Sequence, residues 1–388
     1  MGNILDYIRW RGDLSFDASP FNELDGLVLS QLAFNDLHAV KGEKETPTLS
    51  ELDARFFELH DRASYRLGIY FPKGMAELVG LAAQSVRFSS MRLLSAEEVR
   101  DPERKIQFTA MTFLLPDKTL FVVFRGTDDT LYGWYESLSL GVHDTLPIHT
   151  LACDYLAKTM AKYRYKRVRV GGHSKGGHLA MTAALSLDAR YRRRILAVYN
   201  FDGPGFRRDL RESESYLTLA DRIYSITPYM SIVGALLCGF DRVDVVESDG
   251  KGVFQHDVFN WRVEGRSFFR LDKRSDESLR LERSLKGWLD KVEDHDRLKF
   301  LDALYRVLTS SGAKTVSEIS EDKLGSAYQF SKTMLSFDKE TREVVSRAVL
   351  LLLRERKRTV REKKEADKMT KKNKKSSDSQ GESDDVTN

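Results

Sequence analysis

The chain has 388 residues, of which 41% are hydrophobic and 10% aromatic, a composition typical of a globular protein with a sizeable core. Two cysteines in a chain of this length exclude a disulfide-rich scaffold, and no apolar run approaches the roughly 18 residues of a membrane-spanning helix. The formal net charge is +4, but residues 354–388 hold 12 of the 62 Lys and Arg and 8 of the 58 Asp and Glu. The remaining chain is therefore neutral, which argues against a basic nucleic-acid-binding face.

Helical patterns come first along the chain. Asn3–Ser15 is interpreted as a short lead-in, without the basic and apolar regions of a secretory signal, so we expect a cytoplasmic protein. Apolar residues recur at helical spacing in Asp25–Leu37, Leu49–Leu67 and residues 73–84. β-Branched and aromatic residues then predict strands at Val86–Leu94, Ile106–Leu114 and Thr119–Phe124.

Further along the chain, predicted strands alternate with predicted helices. The strands are Arg167–Gly171, Ile195–Phe201, Arg222–Thr227 and Arg242–Glu247. The helices are Leu151–Lys162, Gly176–Leu187 and an apolar stretch near Ser231–Cys238. This alternation predicts an α/β fold with a largely parallel sheet and helices on both faces. Cys153 and Cys238 fall in apolar helical patterns, so we expect both to be buried small hydrophobic residues.

Strand patterns end at about Asp272, and helical patterns then cover 276–293, 295–310 and 338–365. We therefore predict an α/β domain over 1–271, a helical extension over 272–365 and a disordered charged tail over 366–388. Arg354–Lys375 carries 12 basic and 4 acidic residues, a run that is usually a solvated helix end. The alternative for this run is a weak contact with anionic lipid, whereas nucleic acid is not expected because no aromatic residues are interleaved.

The strongest chemical signal is a G-x-S-x-G pattern, formed by Gly172-His173-Ser174-Lys175-Gly176 between a predicted strand and an Ala-rich predicted helix. A sharp strand-to-helix turn needs small flanking residues, and it raises the serine hydroxyl above the sheet. The pattern predicts that Ser174 is a nucleophile. The alternative is an ordinary glycine-rich turn with a surface serine.

A serine hydroxyl needs a base within hydrogen-bond reach. His256 follows the last predicted strand, where this kind of fold places its base, so we predict His256 in that role. The acid that orients the imidazole is predicted to be Asp202, since it ends the strand Ile195–Phe201 at the carboxyl edge of the sheet. The alternatives are Asp241, Asp249 or no acid.

The oxyanion hole is predicted to be formed by the backbone N–H of Lys175, which follows the nucleophile, and by Thr127, in the loop after Thr119–Phe124. Thr127 offers both an amide and a hydroxyl as donor. The alternative for this loop is a plain turn. The Lys175 cation lies at a helix N-terminus, where the helix dipole disfavours it. Either a carboxylate such as Asp128 or an anionic group of the substrate offsets that cost, or the ammonium group reaches solvent.

Several motifs occur in an order that resembles known families. The chain resembles the fungal-type (class 3) lipases of the α/β-hydrolase fold in VVFRGT at 122–127, GW at 133–134 and the G-x-S-x-G turn. It more closely resembles a bacterial lipase-like family of largely unknown function in SKGG at 174–177, NFDGPG at 200–205, SIVG at 231–234 and QHD at 255–257. The resemblance implies a cytosolic hydrolase that acts on a small-molecule acyl or lipid ester.

The sequence departs from class 3 lipases at two positions. Lys175 replaces an apolar residue, and Ser231 stands near the position of the acid in those lipases, whereas Asp202 resembles the acid placement of pancreatic-type lipases. A non-catalytic scaffold with a hydrolase fold and an acyltransferase with the same triad are the competing functions. Metal-ligand spacing, a phosphate loop and a dinucleotide fingerprint do not occur in the sequence, so we predict no cofactor and no metal.

Overall fold

The computed structural model describes residues 2–68, 74–321, 323–351, 353–354, 357–358 and 361. The strands are β1 (Arg92–Asp101), β2 (Ile106–Leu114), β3 (Leu120–Phe124), β4 (Val168–His173), β5 (Ile195–Phe201), β6 (Ile223–Pro228), β7 (Val243–Val246), β8 (Val263–Glu264), β9 (Ser267–Phe268) and β10 (Arg270–Leu271).

The helices up to the end of the sheet are α1 (Ile4–Arg11), α2 (Glu23–Leu32), α3 (Leu49–Leu59), α4 (Met75–Gln84), α5 (Leu131–Ser139), α6 (Pro147–Lys162), α7 (Lys175–Ser186), α8 (Ala189–Arg192) and α9 (Glu214–Leu219). Those that follow it are α10 (Asp276–Leu289), α11 (Asp294–Thr309), α12 (Val316–Glu321) and α13 (Lys323–Ser336). Short 3-10 helices cover Leu37–Val40, Ala220–Arg222, Gly252–His256 and Val258–Asn260.

Eight of the described strands form one sheet in the order β1-β2-β3-β4-β5-β6-β7-β10. β3 to β7 run parallel to one another, whereas the pairs β1–β2, β2–β3 and β7–β10 are antiparallel. The short turn between β2 and β3 is closed by Asp117, whose carboxylate accepts the N–H of Thr119 at 3.0 Å. The parallel strands end at one edge of the sheet, which is where the candidate site is assembled.

Both faces of the sheet are covered by helices. In β3, Phe121 and Val123 pack into one core with the N-terminal helices, while Val122 and Phe124 pack into a second core with α6 and α7. This alternation follows from the two-residue period of a strand, and it explains why all five residues of β3 are buried. The predicted α/β fold, a mostly parallel sheet with helices on both faces and further helices at its C-terminal end, is confirmed.

A buried ion pair ties the N-terminal helices together. The Arg87 guanidinium donates to both carboxylate oxygens of Asp25 at 2.6 Å, and the Tyr7 hydroxyl donates to the same carboxylate at 2.8 Å. A third guanidinium nitrogen donates to the backbone oxygen of Ser19 at 2.9 Å. Because its partners satisfy the buried charges, removing either member alone leaves an uncompensated charge in the core.

The N-terminal elements differ from their predicted bounds because side chains cap the chain at other points. The predicted lead-in contains α1, where Asn3 and Asp6 form a capping box, and α2 begins at Glu23 because Asn22 caps it. The predicted helix Leu49–Leu67 ends at Leu59, and the next turn is closed by the carboxylate of Asp61.

Two predictions on local structure are wrong. The stretch Ser231–Cys238 is a series of turns, because Ser231 and Gly234 both bond to Asp202 while Cys238 pairs with Phe206. The predicted strand Val86–Leu94 is a turn up to residue 90, and β1 begins only at Arg92. Cys153 and Cys238 are partly rather than fully buried, and both are free thiols.

The predicted division into 1–271, 272–365 and 366–388 remains a prediction. α10 to α13 follow β10, and residues 339–351 are helical, as the pattern over 338–365 predicts for that part. The predicted tail over 366–388 lies outside the described residues. Among the helices built from described residues, none combines the length and the apolarity needed to cross a bilayer.

Candidate active site

The turn at Ser174 holds a strained backbone. β4 ends at His173 and α7 begins at Lys175, so a single residue, with φ 58° and ψ −131°, reverses the chain. Serine is disfavoured in this region by about 1–3 kcal/mol. The flanking glycines are required, because a Cβ on Gly172 would lie 2.4 Å from the Gly176 backbone and one on Gly176 would lie 2.1 Å from the Phe124 oxygen. The sequence therefore folds here into a tight strand-to-helix elbow with Ser174 at its apex.

Asp202 occupies the equivalent position on the neighbouring strand. His173 of β4 pairs with Phe201 of β5, so the two strands end in register. The Ser174 N–H donates to the backbone oxygen of Phe201 at 2.9 Å, and a Cβ on Gly203 would lie 2.5 Å from the backbone oxygen of Ser174. Asp202 also has a positive φ of 49°, in a turn held by the side chain of Asn200, which accepts the Gly203 N–H at 2.9 Å.

The Asp202 carboxylate contacts the imidazole of His256. Its Oδ2 lies 2.6 Å from His256 Nδ1, while its Oδ1 accepts from the Ser231 hydroxyl at 2.5 Å and from the Gly234 N–H at 3.2 Å. The carboxylate is completely buried, so these donors replace water. An acceptor-only carboxylate requires the proton on Nδ1, which leaves Nε2 of His256 as an acceptor.

His256 ends the 3-10 helix that follows β7, and two contacts place it beside the elbow. His173 Nε2 donates to the His256 carbonyl at 3.0 Å, and the two rings lie 4.5 Å apart between centroids. Burial holds the pKa of His173 well below its ordinary value, so the ring is neutral. The loop itself is fixed by Gln255, whose side chain accepts the Met230 N–H at 2.7 Å. Ser174, Asp202 and His256 therefore lie at the same edge of the sheet.

Asp241 and Asp249, the alternative acids predicted from the sequence, form ion pairs with arginines. Asp241 lies 3.5 Å from the Arg211 guanidinium, and Asp249 lies 2.6 Å from that of Arg262.

The two predicted oxyanion-hole residues flank the elbow. Lys175 is the first residue of α7, so its N–H has no acceptor within the helix. The loop that carries Thr127 approaches the nucleophile closely, since a Cβ on Gly126 would lie 3.4 Å from Ser174 Cβ. The Thr127 hydroxyl lies 2.5 Å from the Ser137 hydroxyl of α5, which leaves the Thr127 N–H as the group that can face the site.

The side chain of Lys175 is buried, so the expectation of a solvent-exposed ammonium group is wrong. Its Nζ donates to Glu136 Oε2 at 2.5 Å, to the Gln107 backbone oxygen at 2.8 Å and to Gln107 Oε1 at 3.2 Å. These contacts use all three protons, so the expectation that Lys175 binds an anionic substrate group is also wrong. The offsetting carboxylate is Glu136 rather than Asp128, which bonds to Arg100 at 3.0 Å.

Two further histidines form a hydrogen-bonded chain behind the elbow. The Leu146 N–H donates to His149 Nδ1 at 3.1 Å, His149 Nε2 lies 3.0 Å from His178 Nε2, and His178 Nδ1 lies 2.9 Å from the Gly205 oxygen. Since the first group only donates and the last only accepts, His149 Nε2–H donates to His178 Nε2 and both rings are neutral. Burial lowers the pKa of each to about 4.

The hydrogen-bonded pair of His149 and His178 predicts that the protein loses stability in mild acid. Folding lowers the pKa of each ring from 6.5 to about 4, so the contribution of the two neutral rings to the free energy of unfolding is complete above about pH 6.5. As the pH falls toward 4, the unfolded chain binds a proton on each ring that the folded protein does not bind, and this stability is lost. We expect each histidine to cost about 2 kcal/mol of unfolding free energy between pH 7 and pH 5, measured by urea denaturation. His149→Gln should flatten this dependence, whereas the exposed His295→Gln should leave it unchanged. An equally steep dependence in His149→Gln would exclude this origin.

One group of described residues has the donor types of a metal site, Asp36, His38 and Glu98. The two carboxylates already bind guanidinium groups, since Arg125 lies 3.0 Å from Asp36 and Arg100 lies 2.8 Å from Glu98. A cation there would compete with both arginines, so the donor set does not fit a resident metal.

Sequence reasoning missed part of this arrangement. From the sequence, Ser231 is only the residue near the usual position of the acid in class 3 lipases, whereas in the structure its hydroxyl donates to Asp202. Glu136 and Gln107 carry no motif, and only the unusual cation at position 175 indicates that a buried carboxylate must lie nearby.

Comparisons with known proteins identify one family and several distant structures, among them two fungal lipases. Rhizomucor miehei lipase, solved as a propeptide complex, is 15% identical over 58% of this chain and 68% of that chain, with a TM-score of 0.34. Lip2 lipase from Yarrowia lipolytica is 14% identical over 60% of this chain and 89% of that chain, with a TM-score of 0.28. A search of curated proteins gives no match. The Mbeg1-like family model matches residues 82–306, which is more than half of the sequence and includes Ser174, Asp202 and His256, so the chain belongs to the Mbeg1-like family.

Proposed function

We propose that this protein is a serine hydrolase of lipase type that cleaves carboxylic esters. The observation that carries the proposal is the 2.6 Å contact between Asp202 and His256 at the sheet edge where Ser174 occupies a strained elbow. A buried carboxylate, an imidazole with a free acceptor nitrogen and a serine on a tight turn are the parts that acyl transfer requires.

In the proposed reaction, the Ser174 hydroxyl attacks the acyl carbon while His256 Nε2 takes its proton. The carbonyl oxygen gains negative charge and is bound by the N–H groups of Thr127 and Lys175. His256 then gives the proton to the leaving alkoxide, and the acyl group stays on Ser174 as an ester. Water, deprotonated by His256, attacks this ester. As the bond between the acyl carbon and Ser174 Oγ breaks, His256 returns the proton to Oγ, which releases the acid and restores the serine. Asp202 keeps Nδ1 protonated and stabilises the imidazolium throughout.

The proposed substrate is a small-molecule acyl or lipid ester, and the proposed location is the cytoplasm. The motifs at 174–177, 200–205, 231–234 and 255–257 support placement in the bacterial lipase-like family that they resemble. For the basic run Arg354–Lys375 we propose only a weak contact with anionic lipid.

A fluorophosphonate probe tests the proposal without knowledge of the substrate. The folded protein should take up one phosphonyl group, and peptide mass mapping should locate it on Ser174. Urea-denatured protein serves as the control and should not react, because the nucleophile is activated only by its neighbours. Lack of labelling in folded protein would favour the non-catalytic scaffold. A panel of p-nitrophenyl esters of increasing acyl length then defines the preferred substrate.

A further inference from the structure

We propose that Lys175, Glu136 and Gln107 are positioning residues that fix the two oxyanion-hole N–H groups relative to each other. This inference rests on the proposed hydrolase function. None of these three side chains touches the reacting atoms. The buried lysine beside the nucleophile acts through its contacts with the other two.

One atom connects the two halves of the oxyanion hole. Gln107 Oε1 accepts from Lys175 Nζ at 3.2 Å and from the Asp128 N–H at 3.2 Å. Lys175 supplies one oxyanion donor from its own backbone, and Asp128 directly follows Thr127, which supplies the other. A shift of the loop or of the elbow therefore breaks a hydrogen bond to the same side-chain oxygen.

The network is anchored to the sheet on one side and to α5 on the other. Glu136 Oε2 accepts from Lys175 at 2.5 Å, and Glu136 Oε1 accepts the Gln107 N–H of β2 at 3.1 Å. Gln107 Nε2 donates to the Thr130 hydroxyl at 3.2 Å, at the end of the loop that carries Thr127. Every polar atom of the Glu136 carboxylate and of the Lys175 ammonium thus has a partner.

A second contact from α5 reaches the same loop. The Ser137 hydroxyl donates to the Gly133 oxygen at 2.9 Å, so the Thr127 hydroxyl donates to Ser137 at 2.5 Å. Successive residues of α5, Glu136 and Ser137, therefore hold the elbow and the loop.

Burial makes this arrangement stiff. Lys175 and Gln107 are each 1% exposed and Glu136 is 3% exposed, so water cannot replace a lost partner. A buried ion pair contributes little net stability compared with apolar residues, but it demands one geometry. The position of oxyanion donors affects only the chemical step, and a displacement of about 1 Å costs roughly 100-fold in rate.

The test uses the inactivation kinetics of the full chain with a fluorophosphonate, which separate the chemical rate constant, kinact, from the binding constant, KI. The variants are Lys175→Met, Glu136→Gln and the double variant. We expect each single variant to lower kinact by roughly 10–100-fold, with KI within about twofold of wild type. Unfolding free energy is measured for every variant, and kinact is expressed per folded molecule.

The double variant distinguishes positioning from a purely structural role. Each single variant leaves a buried charge without a partner, whereas the double variant leaves none, so its stability should recover. If the network positions the oxyanion donors, kinact of the double variant stays low although stability recovers. Recovery of kinact together with stability would overturn the proposal.

A matched control comes from another buried ion pair, Asp25–Arg87, whose hydrogen-bond partners belong to the N-terminal segment. Arg87→Met should lower stability and leave kinact per folded molecule unchanged. Single variants at 175 and 136 that lower kinact no more than Arg87→Met does would also overturn the inference.

Gln107→Met provides a test that keeps the ion pair intact. It removes the shared acceptor Oε1 together with the Nε2 contact to Thr130, and both belong to the proposed network. We expect kinact to fall about tenfold with KI unchanged. Unchanged kinact in this variant contradicts the inference even if the charge variants fail to fold. Absence of label on Ser174 in wild-type protein would instead overturn the proposed function, so the two failures are distinguishable.

Discussion

Replacing Ser174 by alanine is expected to abolish fluorophosphonate labelling and to lower ester hydrolysis by roughly 10⁴–10⁶-fold. The physical reason is that the hydroxyl forms the covalent bond to the acyl group, and the residual rate comes only from oxyanion binding and orientation. The measurement is kcat/KM on the best ester of the panel, with labelling followed by mass spectrometry. Labelling that persists in Ser174→Ala would place the nucleophile elsewhere.

Ser174→Gly provides the matched control, because it removes the same hydroxyl and also relieves the backbone. Alanine keeps the cost of a positive φ of 58°, whereas glycine adopts such a conformation readily. We expect both variants to be inactive and Ser174→Gly to be more stable than Ser174→Ala by about 1 kcal/mol in urea denaturation. Equal stability of the two variants would mean that the elbow stores no strain.

Asp202→Asn is expected to lower kcat by roughly 10⁴-fold while the protein remains folded. An amide nitrogen facing His256 Nδ1 needs an acceptor there, which moves the imidazole proton to Nε2. The imidazole then cannot take the proton of Ser174. Asparagine tolerates the positive φ of 49° at this position, so the turn should be retained. The measurement is kcat on the same ester, with circular dichroism to check the fold.

The two carboxylates that the sequence left as alternatives are the controls for this prediction. Asp241 and Asp249 pair with arginines, and neither contacts His256 in the structure. Asp241→Asn and Asp249→Asn should therefore retain wild-type kcat. A wild-type rate in Asp202→Asn, or a large loss in Asp249→Asn, would remove Asp202 from the proposed triad.

Local sequence signals were sufficient for strands such as β2 and β5 and for the elbow. β2 and β5 have the predicted bounds, because β-branched and aromatic residues concentrate there between clear turn residues. The strand–turn–helix around Ser174 was predictable because only small residues fit beside the turn, as Gly172 and Gly176 show.

Other segments depend on contacts that are distant in sequence. Residues 231–238 have a helical apolar spacing, yet they form turns because the Ser231 hydroxyl and the Gly234 N–H bond to Asp202. No local pattern reports that a buried carboxylate about 30 residues earlier needs these donors. The buried carboxylate of Asp202 needs these hydrogen bonds, and this requirement outweighs the helix propensity of residues 231–238.

The sequence alone determined the chain order of β2 to β7 and the residues of the proposed site, since periodicity and a glycine-flanked turn are properties of neighbouring residues. Only the tertiary structure decided what surrounds Lys175, because its partners Gln107 and Glu136 lie 68 and 39 residues away. From its chain neighbours alone, the lysine next to the proposed nucleophile could pair with a carboxylate such as Asp128, bind an anionic group of the substrate or reach solvent. Folding places it against a buried carboxylate, since a cation enclosed in the core must find an opposite charge.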